Sequence, residues 1–165
     1  MILDLLFRLV HILAAIVLLG GTIYIRTVLI PSASELPEPE HDALRVRTRE
    51  RWKKIVMLGI LLLLVSGFWN YLMVNGPAHQ GANRGQYHML MGIKILLALG
   101  VFFLASVLTG RAAKFDAMRR SPAKWLSILI GLALAVVTIG SVLKVAVPAS
   151  GAVPATARPA PPHAG

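Results

Sequence analysis

The sequence predicts an all-α integral membrane protein, a bundle of four transmembrane helices with both termini outside. Three observations predict it. Of 165 residues, 56% are hydrophobic and 15% charged, whereas an ordinary soluble domain is ~45–50% apolar and ~25% charged. The apolar residues gather into four runs, about residues 3–28, 55–74, 87–110 and 125–147. Each reaches the ~20 residues that a helix needs to cross a hydrocarbon core of ~30 Å. Finally, 17 Lys and Arg stand against 7 Asp and Glu, and 12 of the 17 lie in, or at the edge of, two of the connections between runs.

The first run, Leu3–Val28, contains Arg8 and His11. No basic stretch precedes it and no A-x-A-like site leads into a soluble domain, so it reads as a span rather than a signal peptide. Arg26 at its inner end and the connection that follows together carry seven basic residues, the others being Arg45, Arg47, Arg49, Arg51, Lys53 and Lys54. The prolines of that connection keep Pro31–Glu40 from being one continuous helix. From Asp42 nothing breaks a helix, which is expected to restart near Glu40–Asp42, with acidic residues at its N-terminus, and to run into the second span. That span, Ile55–Val74, is twenty residues without a formal charge. Asn75–Gln86 is a loop, and the third run, Tyr87–Gly110, contains Lys94. Arg111, Lys114, Arg119, Arg120 and Lys124 fill the next connection, and the fourth run, Trp125–Val147, is uncharged as far as Leu143. Residues 1–147 thus form one transmembrane domain. Residues 148–165 hold too many prolines and too few apolar side chains to pack, and read as a disordered tail.

The positive-inside rule places the two basic connections in the cytoplasm and both termini outside. Topology and anionic lipid headgroups then account for the basic excess, and no nucleic-acid partner is called for. The absence of Cys excludes disulfides, thiolate metal sites and Cys nucleophiles. No motif for nucleotide binding, zinc hydrolysis or Ser-His-Asp chemistry occurs.

Transmembrane helices associate through small residues that let backbones approach. Gly59, Ser66, Gly67 and Asn70 share a face of the second span; Gly131, Ala135 and Thr138, with Ser141 near them, share one of the fourth. Ala98 and Ala105 lie on the Lys94 face, and Asp4, Arg8, His11, Ala15 and Thr22 form a line on the first span. Lys94 is therefore expected to point into the bundle. At ~1.5 Å of rise per residue, His11 and Lys94 lie ~10 Å below the outer boundary, Asn70 ~7 Å, Met91 ~6 Å and His88 ~1–2 Å. Polarity is concentrated in the outer half, and an ionisable group at such depth marks a ligand, proton or ion path.

Lys94 and His11 are the candidate catalytic residues, with Asn70 as a supporting polar group. A haem needs axial ligands at similar depths, which allows His11 with Met91 and disfavours His11 with His88. A copper site of His11, His88, Met89 and Met91 is equally allowed, because these ligands suit Cu(I). The plainest reading is a structural subunit of a membrane complex or a homo-oligomer, its polar residues serving helix packing. Lys144 and Arg8 then read as interface anchors, Trp52, Trp69 and Trp125 as an aromatic belt, and His41, His79 and His163 carry no signal.

The run Arg8-Leu-Val-His11 leading to Gly20-Gly21 and Tyr24-Ile-Arg26, then Tyr87-His88 with Gly92-Ile-Lys94, and Val142-Leu-Lys144 before Pro148, resembles the HemJ-type protoporphyrinogen oxidases and the related copper-resistance D membrane family. The resemblance covers about residues 5–147. It implies that a first-span His and a third-span Lys, here His11 and Lys94, are functionally required. It also implies a b-type haem, a tetrapyrrole substrate, electrons passing to the respiratory chain, and a place in the bacterial inner (plasma) membrane. An enzyme of this kind is an oxidoreductase.

Overall fold

Long helices form where the apolar runs lie, and the breaks between them fall at prolines and charged turns. The computed structural model describes residues 2–75 and 84–146. Helix α1 covers Ile2–Ala33, with a π-helical stretch at Ile25–Leu29, and α2 covers Glu38–Trp69 and continues as a π-helical turn, Asn70–Asn75. Helix α3 is Arg84–Thr109; a 3₁₀ turn (Ala113–Phe115) leads to the short α4 (Asp116–Arg120), and α5 is Pro122–Ala146. No strand occurs among the described residues. The interior of the Asn75–Gln86 connection, His79, residues 147–165 and the Lys144 side chain lie outside the described residues.

Two proline effects narrow the break after the first span. Helix α1 runs through Pro31, whose ring would clash with the carbonyl four residues back in a regular helix. The π-helical turn just before it widens the backbone, and the Ile30 N–H donates to the Ile25 carbonyl, five residues back. Helix α2 then begins at Glu38, earlier than the expected Glu40–Asp42. Pro39 sits in its first turn, where a missing N–H costs nothing, and Glu38 and Glu40 face the positive end of the helix dipole.

Helices α1, α2, α3 and α5 are long and apolar enough to cross a membrane, yet only 6–17% of each apolar window is buried inside the bundle. Leu5, Leu9, Leu13 and Ile16 of α1, Leu58, Leu61 and Val65 of α2, and Ile93, Leu96 and Leu99 of α3 all point outward. In water each would forgo roughly half of the ~1.5–3 kcal/mol that full burial of such a side chain contributes. The chain is a multi-pass membrane protein whose outward surface is solvated by lipid.

Consecutive spans are antiparallel neighbours. The closest pairs are α1 with α2 and α3 with α5, and α2–α3 and α1–α5 contacts close the ring. Between α1 and α2 the packing is of knobs into glycine notches. A Cβ on Gly21 would come within 2.1 Å of the Trp52 ring, and one on Gly59 within 2.8 Å of Leu18. Trp52 is thus a packing knob and not simply a member of an aromatic belt. On α5 only Ala135 of the expected stripe is half-buried. Gly131, Thr138 and Ser141 are exposed, and the Thr138 and Ser141 hydroxyls donate to Leu134 and Val137 carbonyls of their own helix. The one hydrogen of each hydroxyl is thus spent within its own helix. Helix α5 instead buries Leu126, Leu129 and Leu143.

At the end of the bundle that carries the basic connections, several basic side chains hold the chain together. Arg119 is buried (7% exposed) and donates to the carbonyls of Gly110 (3.2 Å) and Ala112 (2.6 Å), with a longer contact to Val107, and pairs with Asp116. It caps the C-terminus of α3, whose last carbonyls have no helical partner. Arg45 of α2 donates to the Arg119 carbonyl (2.8 Å), and Arg26 of α1 to Ala123 O (2.9 Å) and Ser127 Oγ (3.0 Å). Arg111 pairs with Glu50 at 2.7 Å, which holds that carboxyl below the usual carboxylate range. Both partners are exposed, so this pair contributes little.

Candidate functional site

The residues singled out in the sequence lie at the opposite end, where α1 begins and α5 ends. His11 Nδ1 is 2.9 Å from Ser66 Oγ across the α1–α2 interface. Ser66 is fully buried, and its hydroxyl donates to the Leu62 carbonyl at 2.5 Å. A hydroxyl has one hydrogen. With that hydrogen committed to Leu62, the hydrogen between His11 and Ser66 comes from the imidazole. In its neutral form His11 is then the Nδ1–H tautomer, with the lone pair on Nε2. Gly67 makes room for the ring, since a Cβ there would stand 3.2 Å from His11 Cε1. The Ser66-Gly67 pair is thus a seat in which serine orients the imidazole and glycine admits it.

Lys94 is seated in the same way on the other helix pair. A Cβ on Gly140 of α5 would lie 3.1 Å from Lys94 Nζ. The ammonium makes no ion pair among the described residues. His11, Ser66, Lys94 and Gly140 stand between six and ten residues from the near ends of their helices, or ~9–15 Å at helical rise. Four helices therefore contribute to one level of the bundle, with an imidazole on one side and an ammonium on the other.

Aromatic contacts line the end of the bundle above this level. Trp69 Nε1 donates to Asp4 Oδ1 (3.3 Å) and its ring stacks on Phe7 with centroids 4.6 Å apart. Tyr71 Oη lies 3.2 Å from His88 Nδ1, and the rings of Tyr71 and Tyr87 meet the His88 ring edge to face. Tyr87 and Leu143 form a buried cluster with Tyr71, Leu90, Met91 and Ile139 packed against it.

The structure places Lys94 and His11 at one level of the bundle, each against a glycine of a neighbouring helix. It places His88 in the aromatic layer nearer the helix ends and Met91 on the Tyr87–Leu143 cluster, and it turns Met89 outward, 62% exposed. Asn70 is half-buried one turn beyond Ser66, at the start of the π-helical turn; such turns recur at functional sites. Ser66 as the partner of His11 and Gly140 as the seat of Lys94 were not expected from the sequence. The signal for Ser66 was its place on the small-residue face of α2; Gly140 gave none. Among the described residues no three His, Cys, Asp or Glu side chains are grouped so as to hold a metal ion.

No protein-family model matches the chain, and no solved structure matches it. The chain is similar to an uncharacterized protein of Aquifex aeolicus (strain VF5), 26% identical over 136 residues that cover 82% of this chain and 91% of that relative.

Proposed function

We propose that this membrane protein binds a b-type haem or a related tetrapyrrole at the His11–Lys94 level and carries out redox chemistry there. The observation that carries the reading is the pairing of two seats at one level of the bundle: an imidazole whose Nδ1 is held by Ser66, and an ammonium without a counter-ion among the described residues. These residues fit the group. Iron takes a neutral imidazole whose other nitrogen donates a hydrogen bond, which is the state that Ser66 fixes. The bound group would supply one-electron chemistry. For its part the chain orients His11 through Ser66, offers Lys94 as counter-ion to a propionate carboxylate, and uses the Tyr87–Leu143 cluster to keep water from the α3–α5 side. This is also the chemistry that the resemblance to the HemJ-type oxidases implies, and with it come the bacterial inner membrane and a cytoplasmic basic end by the positive-inside rule.

The test is an absorption spectrum with metal analysis of the detergent-purified chain. A Soret band with about one haem per chain is expected, lost in His11→Ala and weakened about tenfold in affinity in Ser66→Ala, which removes the orienting bond. Stoichiometric copper without a Soret band would select a copper-handling site on His11, His88 and the methionines. A chain with neither, indifferent to His11→Ala, would mark a structural subunit.

A further inference from the structure

At the basic end, far from the His11–Lys94 level, a cleft of about 310 Å³ opens between the extension of α2 and the short α4. Asp42, Arg45, Val46 and Arg49 line one wall, and Asp116, Arg119 and Arg120 the other. Four guanidiniums face two carboxylates, a surplus of two positive charges in one concavity. The groups are not equally free. Arg119 is committed to the α3 carbonyls and Asp116, and Arg45 donates to the Arg119 carbonyl. Arg49 Nε is buried and has no acceptor among the described residues, and Arg120 is exposed with no hydrogen bond or ion pair among them.

We propose that this cleft binds a phosphate monoester, with Arg49 and Arg120 supplying the direct contacts and Arg119 fixing the wall from which Arg120 projects. Guanidinium forks match the oxygens of phosphate, and a buried guanidinium N–H requires an acceptor. A monoester carries about −1.5 to −2 at pH 7, which the surplus of two neutralises. The position admits two sources of the group. Arg49 and Arg45 precede the apolar run at Ile55 by six and ten residues, ~9 and ~15 Å along the helix. That lies at and just beyond the headgroup layer, within reach of a lipid phosphate or a soluble one.

The full-length chain in detergent micelles is titrated with inorganic phosphate at constant ionic strength, and separately with short-chain phosphatidic acid, with the unfolding temperature as readout. A saturable rise is expected in at least one titration, with the apparent affinity about tenfold weaker in Arg49→Gln and in Arg120→Gln. It should be unchanged in Lys54→Gln, which lies outside the cleft. A response to phosphate alone assigns a soluble ligand, and one to phosphatidic acid alone assigns a lipid headgroup. Arg120 supports no other contact among the described residues, so Arg120→Gln tests the site even if Arg49→Gln fails to fold. No saturable response to either probe, or parental affinity in Arg120→Gln, would overturn the proposal.

Discussion

Lys94→Met is expected to raise the thermal stability of the bundle, by about 1–2 kcal/mol, while weakening the proposed cofactor binding. A charged side chain within an apolar bundle costs a few kcal/mol unless it is paired or hydrated. Lys94 has no ion-pair partner among the described residues to offset that cost, and its ammonium sits against the bare backbone of Gly140. Methionine keeps the unbranched shape and removes the charge. A residue retained only for packing would show the reverse, a loss of stability with function intact. Thermal unfolding in detergent, paired with haem content, separates the two outcomes. The sign is the informative part, because a stabilising substitution that weakens binding is the mark of a charge kept for its chemistry.

The buried cation at the other end should behave in the opposite way. Arg119→Met is expected to lower stability by about 2–4 kcal/mol. Gly110 and Ala112 carbonyls would lose the donor that caps α3, and hydrogen bonds to a charged group contribute about 1.5–3 kcal/mol each when both partners are withdrawn from water. Asp116→Asn should cost far less, on the order of 0–1 kcal/mol, because that carboxylate is 60% exposed and its ion pair is screened. Chemical or thermal unfolding of the two variants side by side checks the contrast. Equal losses would mean that the ion pair, and not the carbonyl cap, fixes the connection.

The four spans could be read from the sequence because the bilayer imposes a length and an apolar composition that no tertiary detail overrides. The placement of Lys94 inside the bundle was legible for a related reason. Its face carries Ala98 and Ala105, and close helix approach selects small residues wherever helices meet. The same rule failed on α5. Thr138 and Ser141 look like interface residues by size, but their hydroxyls are satisfied by their own helix, and the inward face is built of Leu126, Leu129 and Leu143 around Gly140. Periodicity places a residue on a face; it does not say which face meets a neighbour. The pairing of His11 with Ser66 joins residues 55 apart and depends on the relative depth of two helices, which one sequence does not encode in any local pattern. Arg119 was hidden for a different reason. Among twelve basic residues with one topological explanation, nothing local separates the one that turns back onto the α3 carbonyls.

The proposed cofactor site joins His11 and Lys94 from two helix pairs. Titration of haem into the cofactor-free, detergent-purified chain tests it most directly, with the parent, His11→Ala and Lys94→Met compared by absorption. The expected result is saturable one-to-one binding by the parent, a loss of the axial-ligand spectrum in His11→Ala, and a weakening of about tenfold in Lys94→Met with the ligand spectrum kept, as befits loss of one charge-assisted contact. Identical titrations for all three chains would contradict the account.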